Sequence, residues 1–187
     1  MDSSAITRAL LAEGNEVLLH TAGLSMGHAI RAGEAIVIRA VPERDIRFGD
    51  ILVFERGEQL VCHRVLRARR SGTGREFVTK GDPVLGFDDP IPYSAVLGRV
   101  IRIKWPGGDF RLDTRRGRWS NRFLAVSSLA IAGLYRLFPW KGALKKPGRG
   151  VHAVWRILSL PSRGVRRLNE RLNRRRRRRV RDAPGGS

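Results

Sequence analysis

Cysteine is nearly absent: Cys62 stands alone in 187 residues. No intramolecular disulfide can form, so the fold cannot depend on an oxidising compartment. Long apolar runs are missing too. The longest, residues 123–138, contains Ser127, Ser128, Gly133 and Arg136, and at ~1.5 Å per residue it reaches only ~24 Å. A bilayer core is about 30 Å thick, so the preferred reading is a helix packed on the domain or lying at an interface rather than one that spans. A basic start followed by an apolar stretch is also lacking, because Arg8, Glu13, Asn15 and Glu16 break up the first 19 residues. A cleavable export signal is therefore not expected. No internal repeat is present.

Acidic residues are scarce in one part of the chain only. Residues 1–113 hold 16 Lys/Arg and 15 Asp/Glu, whereas residues 114–187 hold 21 and 2. The net charge of +20 thus belongs to the C-terminal part. That asymmetry is what a nearly neutral globular unit joined to an anion-seeking segment would show. The sequence reads accordingly as a domain over 1–113 and a basic helical extension over 114–187.

The first segment predicts a short helix, with Asp2, Ser3 or Ser4 as cap, Ile6, Leu10 and Leu11 as its apolar positions and Gly14 to end it. Beyond it the period changes. Residues 17–20, 35–40, 50–54, 60–66, 76–79, 96–104 and 110–113 are short β-rich runs separated by turn residues such as Pro42, Gly49, Gly57, Gly72, Gly81, Pro83 and Pro106-Gly107-Gly108. No helix-length segment intervenes, so the fold class is mainly antiparallel β, with a short N-terminal helix and C-terminal helices. In the extension, Val151, Val154, Trp155 and Leu158 are spaced for one helix face. Val165, Leu168 and Leu172 continue it among Arg163, Arg166, Arg167 and Arg171, before the arginine run 174–179. This is a basic amphipathic pattern.

Four blocks carry chemistry. They are Gly23-Leu24-Ser25-Met26; Gly49-Asp50-Ile51-Leu52 followed by Val61-Cys62-His63-Arg64-Val65; Thr79-Lys80-Gly81-Asp82 with Asp88-Asp89 beyond; and Val96-Leu97-Gly98-Arg99-Val100. In this order they resemble the serine peptidase superfamily of signal peptidases and LexA-type self-cleaving repressors. The resemblance is closest to the archaeal and endoplasmic-reticulum signal peptidases, which have His-Arg-Val where the others carry a lysine base.

The resemblance implies a serine endopeptidase that cleaves a leader or signal-type peptide after a small residue, with no metal or organic cofactor. Ser25 would be the nucleophile and His63 the general base. A serine hydroxyl is a weak nucleophile unless a partner takes its proton, and imidazole can do so near neutral pH. A carboxylate on the far ring nitrogen would hold the useful tautomer. Asp82 is the first choice for that role by resemblance, with Asp88 and Asp89 in reserve.

Plainer readings stand beside these. Ser25 can be a turn serine, His63 a half-buried strand histidine and Asp82 a turn aspartate. Lys80 reads as a surface lysine. Strand alternation sets Cys62 on the face opposite His63, where it reads as a small buried hydrophobe. His20 and His152 have no motif context. Two positions depart from the family pattern. His28 stands where proline is usual two residues after the methionine, and Asp82 is followed by Pro83 rather than asparagine. The rival function is therefore an inactive or weakened peptidase fold that binds a membrane or nucleic acid through its arginine-rich tail. Nucleic acid is the less expected partner, since the front domain is nearly neutral and shows no helix-turn-helix ahead of Ser25.

Two locations fit the tail. Either the domain stays on the cytoplasmic side and the tail docks it on anionic lipid, or residues 123–138 span and the arginines stay inside. Arg115, Arg116, Arg118 and Arg122 on the other flank disfavour the second.

Overall fold

The computed structural model describes residues 3–23, 25–27, 29–72 and 74–137. Helix α1 (Ser3–Ala12) precedes eight strands: β1 (Val17–His20), β2 (Ala35–Arg39), β3 (Ile51–Arg56), β4 (Gln59–Ser71), β5 (Gly74–Lys80), β6 (Ile91–Pro92), β7 (Val96–Trp105) and β8 (Gly108–Arg111). Helix α2 (Arg115–Leu137) follows. All pairings are antiparallel, in the order β1-β2-β7-β3-β4-β5-β6. Strand β7 is long enough to hold two partners along one edge. Val96–Arg99 pairs with β3, and Arg102–Trp105 pairs with β8.

The mainly β class read from the sequence is thus the observed one, and each predicted strand has a counterpart. Strands β4 and β5 run further than their apolar cores, because the arginines at 67, 69 and 70 still pair across the hairpin. The two-residue β6 was missed, being too short to show a period.

Alternation along β3 explains the core. Ile51 and Val53 join a cluster with Met26, Ile30, Ile36, Ile38 and Ile103, while Leu52 and Phe54 join Val65, Phe77, Ile91 and Val96. Successive side chains of a strand point to opposite faces, so an unbroken Ile-Leu-Val-Phe run marks a strand covered on both sides. Bulges at Val37/Ile38, Val53/Phe54 and between Val65 and Arg67 interrupt the register, and bulges bend and twist the strands that carry them.

The helices depart from expectation in detail. In α1, Leu11 and Thr7 are buried, whereas Ile6 and Leu10 are exposed. The chain leaves the helix through Gly14, at φ +84°, whose N–H donates to the Leu11 carbonyl. Helix α2 begins just past the expected 113/114 junction, but it is not detached from the sheet. Leu124, Ala125, Ile131 and Ala132 are buried, and Leu124 and Ile131 form a third cluster with Ala29 and Leu85. Among the described residues no helix is long and apolar enough to cross a membrane. The amphipathic pattern over 151–172, His152 and the arginine run lie outside the described residues.

Phe77 is fully buried between Val65 and Ile91. Truncating a buried phenylalanine costs about 3–5 kcal/mol through lost transfer energy and a residual cavity. Phe77→Ala should therefore lower unfolding stability by that amount in urea titration, and a loss below about 1 kcal/mol would contradict this packing.

Candidate functional site

Ser25 sits in the connection between β1 and β2, a loop closed at its neck. The Thr21 N–H donates to the Glu34 carbonyl, its hydroxyl donates to the Arg31 and Glu34 carbonyls, and the Gly33 N–H returns to the Thr21 carbonyl at 2.7 Å. Met26 and Ile30 are buried in the core below. The segment is therefore anchored on both sides of the half-buried Ser25. Gly27, at φ +52°, packs on the Pro83 ring. Pro83 thus braces the serine loop from the outside. Leu24 and His28 lie outside the described residues, so the substitution at 28 has no structural account.

His63 comes from β4, at a place where that strand is half open. Pairing with β5 begins only at Arg64, so residues 59–63 hydrogen-bond to β3 alone. A cavity of about 570 Å³ borders this open edge and is lined by Ser25, His63, Leu19, Met26, Val53 and Cys62, among others. Cys62 precedes His63 on the strand and also borders the cavity, while alternation places it on the other face of β4, near Arg64 and Asp82. Burial pushes the Cys62 thiol up to about 12, which removes it as a thiolate at neutral pH.

The carboxylate on the far ring nitrogen is Asp88. His63 Nδ1 lies 2.6 Å from Asp88 Oδ2. That same oxygen accepts from the Thr79 hydroxyl at 2.7 Å, and Arg56 lies 3.1 Å from Oδ1. Burial raises the Asp88 pKa, but the hydrogen bonds from His63, Thr79 and Arg56 outweigh it and hold the carboxyl below its ordinary value. The ring is further set by Phe54, edge-on with centroids 6.2 Å apart. With Nδ1 turned to Asp88, Nε2 faces the Ser25 loop across Gly81. A methyl group placed on Gly81 would collide with the Ser25 carbonyl and sit 3.2 Å from Nε2. Glycine is thus what lets the two approach.

Asp82 does something else, and its assignment to His63 is corrected. Its two oxygens accept from Arg64 Nε and Nη2 at 2.7 and 2.8 Å, with Arg64 0% and Asp82 1% exposed. Arg64 Nη1 donates to the Gly49 carbonyl and to Asn121 Oδ1 on α2, both at 3.0 Å. Asp82 is thus engaged in a bidentate, buried guanidinium pair, while the His63 ring nitrogen is held by Asp88 instead.

Lys80 is likewise not on the surface. It is 2% exposed, and Nζ donates to the Ser128 hydroxyl on α2 at 2.6 Å and to the Gly81 and Asp82 carbonyls at 3.2 Å. Burial lowers its pKa from 10.5 to about 8 despite the opposing Asp82 carboxylate. Asp89 makes no described contact with His63. Thr79, Gly81 and Arg56 were not singled out from the sequence. The first two lay in the Thr-Lys-Gly-Asp block, while nothing local marked Arg56. Among the described residues no group of His, Cys, Asp and Glu is arranged to hold a metal ion.

Compared with known proteins, the chain matches no family model and no curated protein. The reading of the site rests on its own geometry.

Two outcomes follow. Asp82→Ala should cost about 3–5 kcal/mol, because it strands a buried guanidinium; a near-neutral change in chemical denaturation would refute the pairing. Between about pH 8 and 10.5 the unfolded chain holds the Lys80 proton more tightly than the folded one, so Lys80 contributes a rise in stability with pH across that window, which the raised Cys62 thiol opposes above about pH 9. Lys80→Met should remove this rise from the pH dependence of the urea midpoint, and an unchanged slope would show that the ammonium is not desolvated.

Proposed function

We propose that the chain is a serine endopeptidase of the signal peptidase type, acting on an extended peptide after a small residue. The observation that carries this reading is the arrangement around His63: Asp88 holds one ring nitrogen while the other faces the Ser25 loop, and Ser25 and His63 line one cavity. Its volume of about 570 Å³ suits a peptide side chain and its flanking backbone, and Leu19, Ile36 and Val53 give it an apolar wall.

The chemistry runs in two steps. Ser25 Oγ attacks the carbonyl carbon of the scissile bond as His63 Nε2 takes its proton, forming a C–O bond and a tetrahedral oxyanion. The imidazolium formed is stabilised by the Asp88 carboxylate, which stays ionised. As the C–N bond breaks, Nε2 returns the proton to the leaving amine, and an acyl-enzyme ester remains on Ser25. Water then enters, loses a proton to Nε2 and bonds to the acyl carbon; as the ester C–O bond breaks, Nε2 returns the proton to Ser25 Oγ and the acid leaves. Thr79 and Arg56 act through Asp88, fixing where it points.

The segment 114–187 adds a location. Its 21 basic and two acidic residues fit peripheral attachment to an anionic lipid surface, where each basic residue contributes about 1 kcal/mol.

A fluorophosphonate probe and a panel of peptides with alanine, glycine or serine before the scissile bond test the enzymatic reading. Wild type should be labelled and should cleave, Ser25→Ala should do neither, and Asp88→Asn should lower kcat by about 10⁴-fold while remaining folded. Cleavage by Ser25→Ala at the wild-type rate would end this proposal.

A further inference from the structure

Helix α2 has a second face that the sheet does not use. Its inner side is buried, yet Trp119, Phe123 and Val126, spaced four and three residues apart, are 74%, 44% and 57% exposed, and Leu129 continues the stripe. Such spacing aligns them on one side of the helix. A monomeric soluble domain gains nothing from exposing a tryptophan and a phenylalanine together.

Beside this stripe is an arginine-lined cavity of about 330 Å³. Arg118 and Arg122 from α2 face it with Arg47, Arg99, Asp45 and Asp50. Arg99 is spoken for by Asp50 at 3.2 Å and by the Asp45 carbonyl at 3.1 Å. The side chains of Arg47, Arg118 and Arg122 make no hydrogen bond or ion pair among the described residues. Three uncommitted guanidinium groups therefore converge beside an apolar ridge.

Charge decides what covers them. Residues 138–187 carry 16 Lys/Arg and two acidic residues, so their charge does not complement this cavity, and an anionic occupant does. The ridge decides between anions. Val126 and Leu129 offer nothing to a sugar-phosphate backbone, whereas an aromatic and aliphatic stripe edged by arginine matches the boundary between headgroups and acyl chains.

We propose that the outer face of α2 is a seat for anionic phospholipid. Trp119, Phe123 and Val126 enter the interface, and a headgroup phosphate lodges among Arg47, Arg118 and Arg122. This rests on the membrane location given above but moves the specific contact from the basic tail to the folded domain. It does not depend on the peptidase chemistry.

Flotation of the full chain with phosphatidylcholine vesicles, with and without phosphatidylglycerol and brominated acyl chains, tests it. Wild type should float with the anionic vesicles and keep part of its binding at about 1 M salt, where screening confines charge effects to about 3 Å. Trp119→Ala/Phe123→Ala should weaken partition about tenfold or more while cleaving a short soluble peptide as wild type does. Trp119→Phe should lose a share of the bromine quenching, and Arg118→Gln/Arg122→Gln should lose preference for the anionic lipid. Undiminished partition and quenching in these variants would assign binding to the tail and overturn the α2 seat alone. Absence of wild-type flotation would overturn the seat and the membrane location together. Release from vesicles by inorganic phosphate, or binding of an RNA oligomer without flotation, would show a soluble anion or nucleic acid as the occupant and overturn the lipid seat.

Discussion

The guanidinium of Arg64 is where the parts of this molecule meet. It is wholly buried, and a buried charge is tolerated only when it is paired and its donors are satisfied. Asp82 supplies the charge, and the Gly49 carbonyl and Asn121 supply the remaining acceptors. Those partners come from the turn after β5, the turn before β3, and α2. One side chain thus fixes the relation of sheet, site turn and helix, and it does so directly after His63 in sequence. Alternation along β4 then turns His63 the other way, toward the cavity.

Two aspartates in one turn region are divided by this arrangement. Asp82, close behind Gly81, is taken by the guanidinium in a two-point contact. Asp88 reaches back to His63 because the Asp88 N–H donates to the Thr79 carbonyl at 2.9 Å and its side chain accepts from the Thr79 hydroxyl. The stretch 81–88 is therefore a clamp with a structural carboxylate at its start and a site carboxylate at its end. Pro83, set against Gly27, joins the clamp to the serine loop. Pro83, where the resembled pattern has asparagine, thus has a contact of its own.

Helix α2 works in two directions. Inward it covers Lys80 through Ser128 and caps Arg64 through Asn121, both adjoining the turn that carries Gly81. Outward it presents the Trp119 and Phe123 ridge. Its two sides thus differ in kind, with polar buried contacts on one and an aromatic, arginine-edged stripe on the other.

The fold class was legible because it rests on local periods. Ile51 to Phe54 and Val96 to Ile103 declare strands wherever they are placed, and Gly14 declares a helix end. The candidacy of Ser25 and His63 was legible for a different reason, since the order of four short blocks survives without coordinates. The choice between Asp82 and Asp88 was not, nor was the burial of Lys80. Both depend on which groups α2 and β4 bring near, and a carboxylate's role follows from the cation it meets rather than from the residues beside it in the chain. Sequence alone set the strands, the charge asymmetry and the candidate nucleophile and base. Only the packed structure decided the partners, because pairing and desolvation are properties of distance in space.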